Sequence, residues 1–236
     1  LPCETGQVDL RDRTESIEAA GRAARLEFFT KVGRRRRCLT IFLGHHADDQ
    51  VETFLLRLFR GAGRRGLGAM QEVSQVGPLK IVRPLLAVWR TEIDAYVAER
   101  GLKFREDASN AELAARRNRV RHNIVPELEK RFGRNLRSSL WRAANVLAEE
   151  DALLETLVPN ELAERENLPV RTLAALSRPL QRRVILRWLH GHRVPDAGYE
   201  AIESVRRLLD PAMRVAKVNL PNDLHARRRA GVIFLE

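Results

Sequence analysis

The sequence has few cysteines, few lysines and no long apolar run. Its two cysteines, Cys3 and Cys38, form neither a CxxC pair nor a cluster with histidine. This argues against a disulfide framework and a zinc site, and it favours a reducing, cytoplasmic environment. A membrane-spanning helix needs about 18 consecutive apolar residues, and the sequence contains no such run. It also does not open with a basic segment followed by an apolar one, as a secretion signal would. We therefore expect no membrane partner.

Positive charge is in excess and comes almost entirely from arginine. The chain has 42 Lys+Arg against 31 Asp+Glu, for a net charge of +11, and five of the 42 are lysine. Such an excess favours a polyanionic partner, because phosphate attracts clustered cations. The preference for arginine has two explanations of equal weight, genome composition or selection for the guanidinium group. Because the first residue is Leu1, we expect a fragment; the sequence leaves the oligomeric state open.

The first 105 residues alternate between strand-like and helical patterns. The apolar stretch at 38–44 is typical of a parallel strand covered on both faces. The next apolar residues form one helical stripe that is expected to pack on a sheet: Val51, Phe54, Leu55, Leu58 and Phe59. The other predicted elements are a strand-like opening at 1–10, a helix at 14–32, a solvated turn at 34–37, a strand at 79–86, a helix at 91–101 and a short strand at 102–105. Together they predict an α/β fold with a parallel sheet.

From residue 116 onward the pattern becomes mainly helical. Breaks fall near Gly133 and Pro159, and further helices are predicted at 179–190 and 198–209. Strands are predicted at 215–220 and 231–235, with the Pro-Asn-Asp sequence at 221–223 as a turn. The sequence therefore predicts two domains. The first, residues 1–130, has an incomplete parallel sheet; the second, residues 131–236, is smaller and mainly helical, with a short β region at its end.

The sequence GHHADDQVET, residues 44–53, lies where the predicted buried strand ends and a helix begins. Ligands of open parallel sheets bind at that edge. A helix N-terminus there offers N–H groups and positive potential to phosphate, and His45 and His46 can donate further hydrogen bonds. Asp49 also has a simpler explanation, since with Glu52 it forms a capping-box-like pair. Capping needs no imidazole, so the histidines point more strongly to function.

The sequence RGAGRRGLGAM, residues 60–70, contains the letters of a dinucleotide-binding fingerprint. That assignment fails, because the fingerprint needs a strand before it and a helix after it, whereas this sequence follows a helix. Gly61 and Gly63 are expected to form a flexible loop that presents Arg60, Arg64 and Arg65 to phosphate or to an RNA backbone. A solvated connection explains the composition equally well.

A third sequence, ARRNRVRHNIVPEL at residues 115–128, is dense in planar hydrogen-bond donors. On a helix, Arg117 and Arg121 lie on one face, and Asn118 and His122 form a neighbouring pair. No acidic residue occurs between positions 112 and 127, which favours a functional face over a solvated one. Such a stripe is suited to clamping phosphates.

In this order and at these separations, the three sequences resemble the tRNA(Ile)-lysidine synthetases, a family of the PP-loop ATP pyrophosphatase superfamily with a Rossmann-like fold. Residues 44–70 are similar to the family's HHxxDxxET helix and RGxGxxGL loop, and RPLL at 83–86 to its second strand. EDASN at 106–110 and RNRVRHNIVPEL at 117–128 are similar to its third block. Residues 217–236 are similar to the strands that end its central domain. The likeness covers most of the chain and is weak between residues 143 and 211.

The resemblance implies a two-step reaction on an isoleucine tRNA with a CAU anticodon. ATP adenylates the C2 carbonyl oxygen of the wobble cytidine, and the amine of free L-lysine then displaces AMP. ATP and Mg²⁺ are the implied cofactors. The family's roles fall on these positions: nucleotide binding on Gly44, His45 and His46; catalysis on His45, Asp49, Arg119 and Arg121; metal binding on Asp49; and tRNA or substrate binding on Arg60, Gly61, Gly63, Arg64, Arg65, Arg117 and Asn118.

The family's SGGxDS loop does not occur in these 236 residues. We therefore expect an N-terminally truncated PP-loop domain, and no ATP turnover by this polypeptide alone, because pyrophosphate lacks its cradle. Among other functions, tRNA thiolation is disfavoured because the chain has no cysteine pair. A small-molecule amidating or NAD-forming ligase would not need the arginine-rich sequences. A non-catalytic RNA-binding remnant of a PP-loop protein remains the main alternative.

Overall fold

The structure is a computed structural model that describes residues 3–9, 17–105, 116–133, 135–195, 197–212 and 216–236, with the backbone alone at 17–19, 64 and 65. The chain divides into two compact units. One contains Leu1–Ala62 and Gly66–Asn145, and the other contains Gly63–Arg65 and Val146–Glu236. We call them the first and the second unit.

In its described part up to residue 156, the chain contains helices and three short strands. In order, these are α1 (Ile17–Arg36), β1 (Thr40–Phe42), α2 (Ala47–Phe59), α3 (Arg64–Leu67), β2 (Val73–Val76), β3 (Leu79–Val82), α4 (Arg90–Glu99), α5 (Arg116–Arg119), a π-helical turn (Val120–Ile124), α6 (Val125–Phe132) and α7 (Leu136–Thr156). Strands β1 and β3 are parallel, with Ile41 opposite Ile81, and β2 pairs antiparallel with β3. The α/β class with a parallel strand pair is thereby confirmed.

The strand predicted at 38–44 is present but shorter and less covered than expected. It lies at the edge of a sheet with the order β1-β3-β2, and the Phe42 side chain is 68% exposed. The expectation that both faces are covered is therefore wrong. Strand β2 was not predicted, because its sequence, VSQV, carries little apolar signal.

Helix α2 buries only the first part of its apolar stripe. Val51, Phe54 and Leu55 are buried, whereas Leu58 and Phe59 are exposed. Helix α5 and the π-helical turn pack against α2. The prediction that the whole stripe packs is therefore wrong for the last turn.

Three local predictions in this part of the chain are also wrong. Residues 3–9 and 102–105 form no strand. The arginines predicted as a solvated turn instead end α1, where Arg34, Arg35 and Arg36 lie in the last turn and their charge is favoured by the helix dipole. Only Arg37 turns the chain, with a φ of 55°.

The second unit is helical and ends in a small sheet, as predicted. Its elements are α8 (Asn160–Ala163), β4 (Leu168–Pro169), α9 (Val170–Ala174), α10 (Arg178–Gly191), α11 (Tyr199–Arg207), β5 (Lys217–Asn219), β6 (His225–Arg229) and β7 (Val232–Leu235). The antiparallel sheet has the order β4-β7-β6-β5. Its core is built around the fully buried Trp188, Ile185 and Ile233. Among the described residues, no helix combines the length and apolar character needed to cross a bilayer.

Candidate active site

Helix α2 begins just beyond the carboxyl end of β1, and its first turn is acidic. The connection is fixed by the backbone, because Leu43 N–H donates to Val82 O and Ala47 N–H to Val88 O, each at 2.9 Å. The His46 N–H donates to Asp49 Oδ2 at 2.9 Å, which satisfies an N–H group at the start of the helix. Asp49 therefore has a capping role, but its partner is His46. The predicted capping pair of Asp49 with Glu52 is wrong.

Glu52 instead binds two arginines from the third sequence block. Arg117 Nε donates to Glu52 Oε2 at 2.7 Å. Arg121 Nε donates to Glu52 Oε1 at 2.6 Å, and its Nη2 donates to Oε2 at 3.2 Å. The Glu52 side chain is only 3% exposed, while each arginine is 31% exposed. A buried carboxylate is thus neutralised by two guanidinium groups that still reach solvent.

Asp49 joins the same cluster. Its Oδ1 accepts hydrogen bonds from Arg117 Nη2 at 3.0 Å and from Arg121 Nη2 at 3.2 Å. The hydrogen bond to Glu52 raises the pKa of Arg121 above its usual value, and the charge of Asp49 adds to this effect. We call Asp49, Glu52, Arg117 and Arg121 the charge cluster. The start of α2 and the segment from Arg117 to Arg121 are therefore in direct contact.

A change of helical pitch accompanies this arrangement. Arg117 belongs to α5, whereas Arg121 lies in the π-helical turn that follows. Such a turn inserts an extra residue into a helix and is frequent at functional sites. Val120 and Val125 are buried on the inner side of this segment. They anchor the turn from which Arg121 reaches Glu52.

Asp48 connects the start of α2 to two other elements. Its Oδ2 accepts a hydrogen bond from the Arg90 N–H at 2.9 Å, and its Oδ1 accepts one from Arg137 Nη1. Arg137 also binds Glu129, with Nε to Oε1 at 2.8 Å. Burial alone would raise the pKa of Asp48, but the adjacent His46 imidazole and hydrogen bonds from the Arg90 N–H and from Arg137 hold it well below its usual range. Asp48 is thus a charged junction between α2, α4 and α7.

The two histidines occupy different surroundings. His46 lies between two carboxylates, with Nδ1 3.6 Å from Asp48 Oδ2 and Nε2 3.5 Å from Asp49 Oδ2. Burial lowers the pKa of His45; the nearby Asp49 opposes this effect, and Arg83 and Arg117 add to it. His45 Nδ1 is buried and has no hydrogen-bond partner among the described residues. Burial thus favours the neutral form of His45, and its Nδ1, like that of His46, is left without a described partner.

The other predicted site residues are distributed as follows. Arg119 is exposed and forms no ion pair with any described residue, whereas Arg121 lies in the charge cluster. Arg60 is exposed at the end of α2, and Gly61 has a φ of 73° that favours glycine. The side chains of Arg64 and Arg65, and residues 106–110 of the third block, lie outside the described part of the chain. Within that part, no three His, Cys, Asp or Glu side chains form a metal-binding group.

Sequence reasoning missed Asp48, Glu129 and Arg137 as parts of the site. The two partners of Asp48 lie 42 and 89 residues away along the chain. The two aspartates at the N-terminus of α2 were visible in the sequence, but helix capping was the preferred explanation for Asp49. Nothing in the sequence around Arg137 indicated its partners.

Comparison with known proteins gives two family matches. A sequence model of the PP-loop domain matches residues 1–128, and one of the TilS substrate binding domain matches residues 168–234.

Individual relatives match over most of this chain. The tRNA(Ile)-lysidine synthase of Geobacter sulfurreducens is 40% identical over 223 residues, which are 90% of this chain and 47% of that protein. The synthase of Chromobacterium violaceum is 40% identical over 78% of this chain and 42% of its own length. The synthase of Coxiella burnetii is 34% identical over 94% of this chain and 49% of its own length. The chain therefore spans about half the length of these curated relatives.

Proposed function

We propose a function for this chain from the premise that it belongs to the tRNA(Ile)-lysidine synthetase family of PP-loop proteins. It acts in the conversion of the wobble cytidine of an isoleucine tRNA with a CAU anticodon to lysidine. In the first step the C2 oxygen of cytidine bonds to the α-phosphorus of ATP and pyrophosphate leaves. In the second step the amine of free L-lysine bonds to C2 and AMP leaves with that oxygen. The product has a new carbon–nitrogen bond.

The charge cluster is the observation that supports this proposal most directly. Arg117 and Arg121 present guanidinium groups, and Asp49 and Glu52 present carboxylates, within one site at the carboxyl end of the parallel strands. The reaction needs both signs of charge, because AMP is an anionic leaving group and lysine carries a cationic amine. Guanidinium and carboxylate groups gathered at one site can stabilise the charges that develop in the two steps.

The ion pairs of the charge cluster indicate which groups would bind the substrates. Arg117 and Arg121 are each 31% exposed and are held by carboxylates that a phosphate group could replace. We assign Arg121 rather than the exposed Arg119 to the adenylated intermediate, because Arg121 lies in the charge cluster. Asp49 and Glu52, once released, can accept hydrogen bonds from the amine of lysine. Positioning of this kind contributes much of the rate in such transfers.

ATP and Mg²⁺ are the proposed cofactors. Gly44, His45 and His46 would contact the nucleotide, and His45 fits because its Nδ1 has no partner among the described residues. Mg²⁺ would supply neutralisation of the phosphate charge. Asp49 fits a metal only by exchange, because its Oδ1 already binds two arginines and its Oδ2 accepts the His46 N–H.

A set of loop residues and basic residues would hold the tRNA. These are Arg60, Gly61, Gly63, Arg64, Arg65, Arg117 and Asn118, which carry loop backbone and basic groups suited to phosphates. We propose that residues 1–130 form the nucleotide-binding part and residues 131–236 a tRNA-binding part. The net charge of +11 supports a nucleic-acid partner.

An ATP assay tests the role of the SGGxDS sequence, which these 236 residues do not contain. We expect no lysine-dependent release of AMP when the polypeptide is mixed with ATP, Mg²⁺, lysine and a transcript of isoleucine tRNA (CAU). Detectable release would contradict the expectation that this polypeptide is inactive alone.

A binding assay tests the proposed substrate. The chain should bind the isoleucine tRNA (CAU) transcript more tightly than a transcript that differs only by uridine at position 34. Equal affinity for the two would favour the non-catalytic RNA-binding alternative. Failure to bind either transcript would contradict both functions.

A further inference from the structure

The second half of the glycine-rich loop is held by three side chains from rigid elements. Gln50, on α2, pairs with the backbone of Met70: its Nε2 donates to Met70 O at 2.7 Å, and the Met70 N–H donates to its Oε1 at 2.8 Å. Gln50 is 1% exposed. A buried amide that donates to and accepts from the same residue fixes the backbone of that residue.

Two arginines extend this attachment on either side of Met70. Arg57 Nη1, on α2, donates to Gly66 O and to Ala69 O, each at 2.7 Å. Arg83 Nη1, just after β3, donates to Gln71 O at 2.8 Å and to Ser74 Oγ at 2.9 Å. Residues 66–71 are therefore fastened at four positions to a helix and a strand end, although they form no regular sheet or long helix themselves.

The loop adopts a conformation that needs such support. Ala69 has a φ of 50°, which is unfavourable for a residue with a Cβ atom. A side chain at Gly66 would lie 2.6 Å from the Cβ of Ala62. A flexible glycine-rich loop, as the sequence predicted, would not keep such a conformation unless neighbouring groups held it.

The two arginines also leave positive charge under the loop. Neither Arg57 nor Arg83 forms an ion pair with a carboxylate in the described part of the chain, and Arg83 is only 8% exposed. Burial lowers the pKa of both groups, and the neighbouring charge of Arg22 adds to this effect. Their guanidinium groups therefore lie next to loop carbonyl oxygens, and no described carboxylate balances their charge. Their charge makes the loop attractive to phosphate.

We propose that Gln50, Arg57 and Arg83 are positioning residues that hold residues 66–71 in one conformation, so that the accessible part of the glycine-rich loop can contact the sugar-phosphate backbone of the tRNA; Gly68 and Ala69 are buried and serve as the anchored part. This inference rests on the proposed function. A pre-organised loop binds more tightly, because it loses less conformational freedom on binding. The three residues act through the loop backbone and need not touch the RNA themselves.

The main test replaces Gln50 by methionine, a change that removes both hydrogen bonds to Met70 without altering charge. The matched control is Gln75→Met, since Gln75 also donates to a backbone carbonyl, Gly77 O at 3.0 Å, but lies exposed in the β2–β3 hairpin. Two quantities are measured in each variant: amide hydrogen exchange over residues 66–71, and affinity for the isoleucine tRNA (CAU) transcript. For Gln50→Met we expect faster exchange and about tenfold weaker binding; Gln75→Met should change neither.

A second variant guards against a general loss of folding. Arg57→Lys keeps the charge but replaces the planar fork with a shorter ammonium group, and it should act in the same direction as Gln50→Met while circular dichroism stays unchanged. If amide exchange over residues 66–71 is unchanged in both variants, the three residues do not hold this segment. Faster exchange with unchanged tRNA affinity would overturn its role in binding but leave the proposed function intact. Absence of tRNA binding by the wild-type chain would overturn the proposed function, and this inference with it.

Discussion

Arg121 and Glu52 meet through two parallel hydrogen bonds, Nε to Oε1 at 2.6 Å and Nη2 to Oε2 at 3.2 Å, although 69 residues separate them in sequence. Paired contacts of this kind are the strongest that an arginine makes with a carboxylate. They connect the two sequence blocks that carry the proposed chemistry.

Replacing Glu52 by glutamine should destabilise the first unit. The variant leaves Asp49 as the remaining carboxylate for Arg117 and Arg121, so we expect a loss of about 2–3 kcal/mol in the free energy of unfolding. The matched control is Glu127→Gln, because Glu127 pairs with Arg131 on an exposed surface and should change stability by less than about 0.5 kcal/mol. Urea denaturation measures both. Equal effects of the two variants would contradict the importance of the charge cluster.

Asp48 should contribute acid sensitivity. Its pKa is held below the ordinary value of 3.8, so its stabilising effect is present above that value and is lost as the pH falls below it. Asp48→Asn should lower stability at neutral pH and weaken the dependence of stability on pH below about 4. Unfolding experiments over a range of acidic pH values test this. If the loss of stability below about pH 4 is unchanged in the variant, Asp48 does not cause it.

His45 should make stability depend on pH in a range above that of Asp48. Because burial lowers its pKa in the folded chain, the unfolded chain binds its proton more readily, and stability falls as the pH drops below about 6.5. The His45→Asn variant should show a smaller fall between pH 8 and pH 5. Thermal unfolding at several pH values measures the difference, and an identical pH dependence would show that His45 is not the group responsible.

Trp188→Phe should destabilise the second unit. The indole is fully buried, and its Nε1–H donates to Glu166 O at 3.1 Å. Loss of this bond and the space left behind should cost about 2 kcal/mol. The control is Leu153→Ala, whose side chain is 62% exposed and whose removal should cost less than about 0.5 kcal/mol. Thermal unfolding followed by circular dichroism compares them.

Glu203 should also make the second unit sensitive to strong acid. Its hydrogen bonds with Arg206, and then with Arg182, lower its pKa to about 2, against the effect of burial. Its contribution is present above its ordinary value of 4.5 and is lost as the pH falls towards 2. Glu203→Gln should therefore flatten the stability curve in this range. If the stability of the variant depends on pH in the same way as that of the wild type, Glu203 is not the group responsible.

The elements with regular apolar patterns were the most predictable from sequence. The buried positions Val51, Phe54 and Leu55 gave helix α2, because their spacing matches one helical face. Short strands such as β2 and β6 were missed, since VSQV and HARRR are mostly polar and gain their pairing from neighbouring strands. The exposure of Phe42 and Phe59 could not be predicted either, because the sequence does not show which elements pack against an apolar residue.

The sequence by itself determined the α/β pattern, the arginine-rich character and the family resemblance, since these depend on residue type and local spacing. Only the tertiary structure decided which charges meet. Glu52 binds Arg117 and Arg121 rather than capping α2, Asp48 joins α4 and α7, and Gln50 holds the backbone of Met70. Hydrogen bonds and ion pairs act over a few ångströms, so their partners are fixed by the folded path of the chain rather than by the order of its residues.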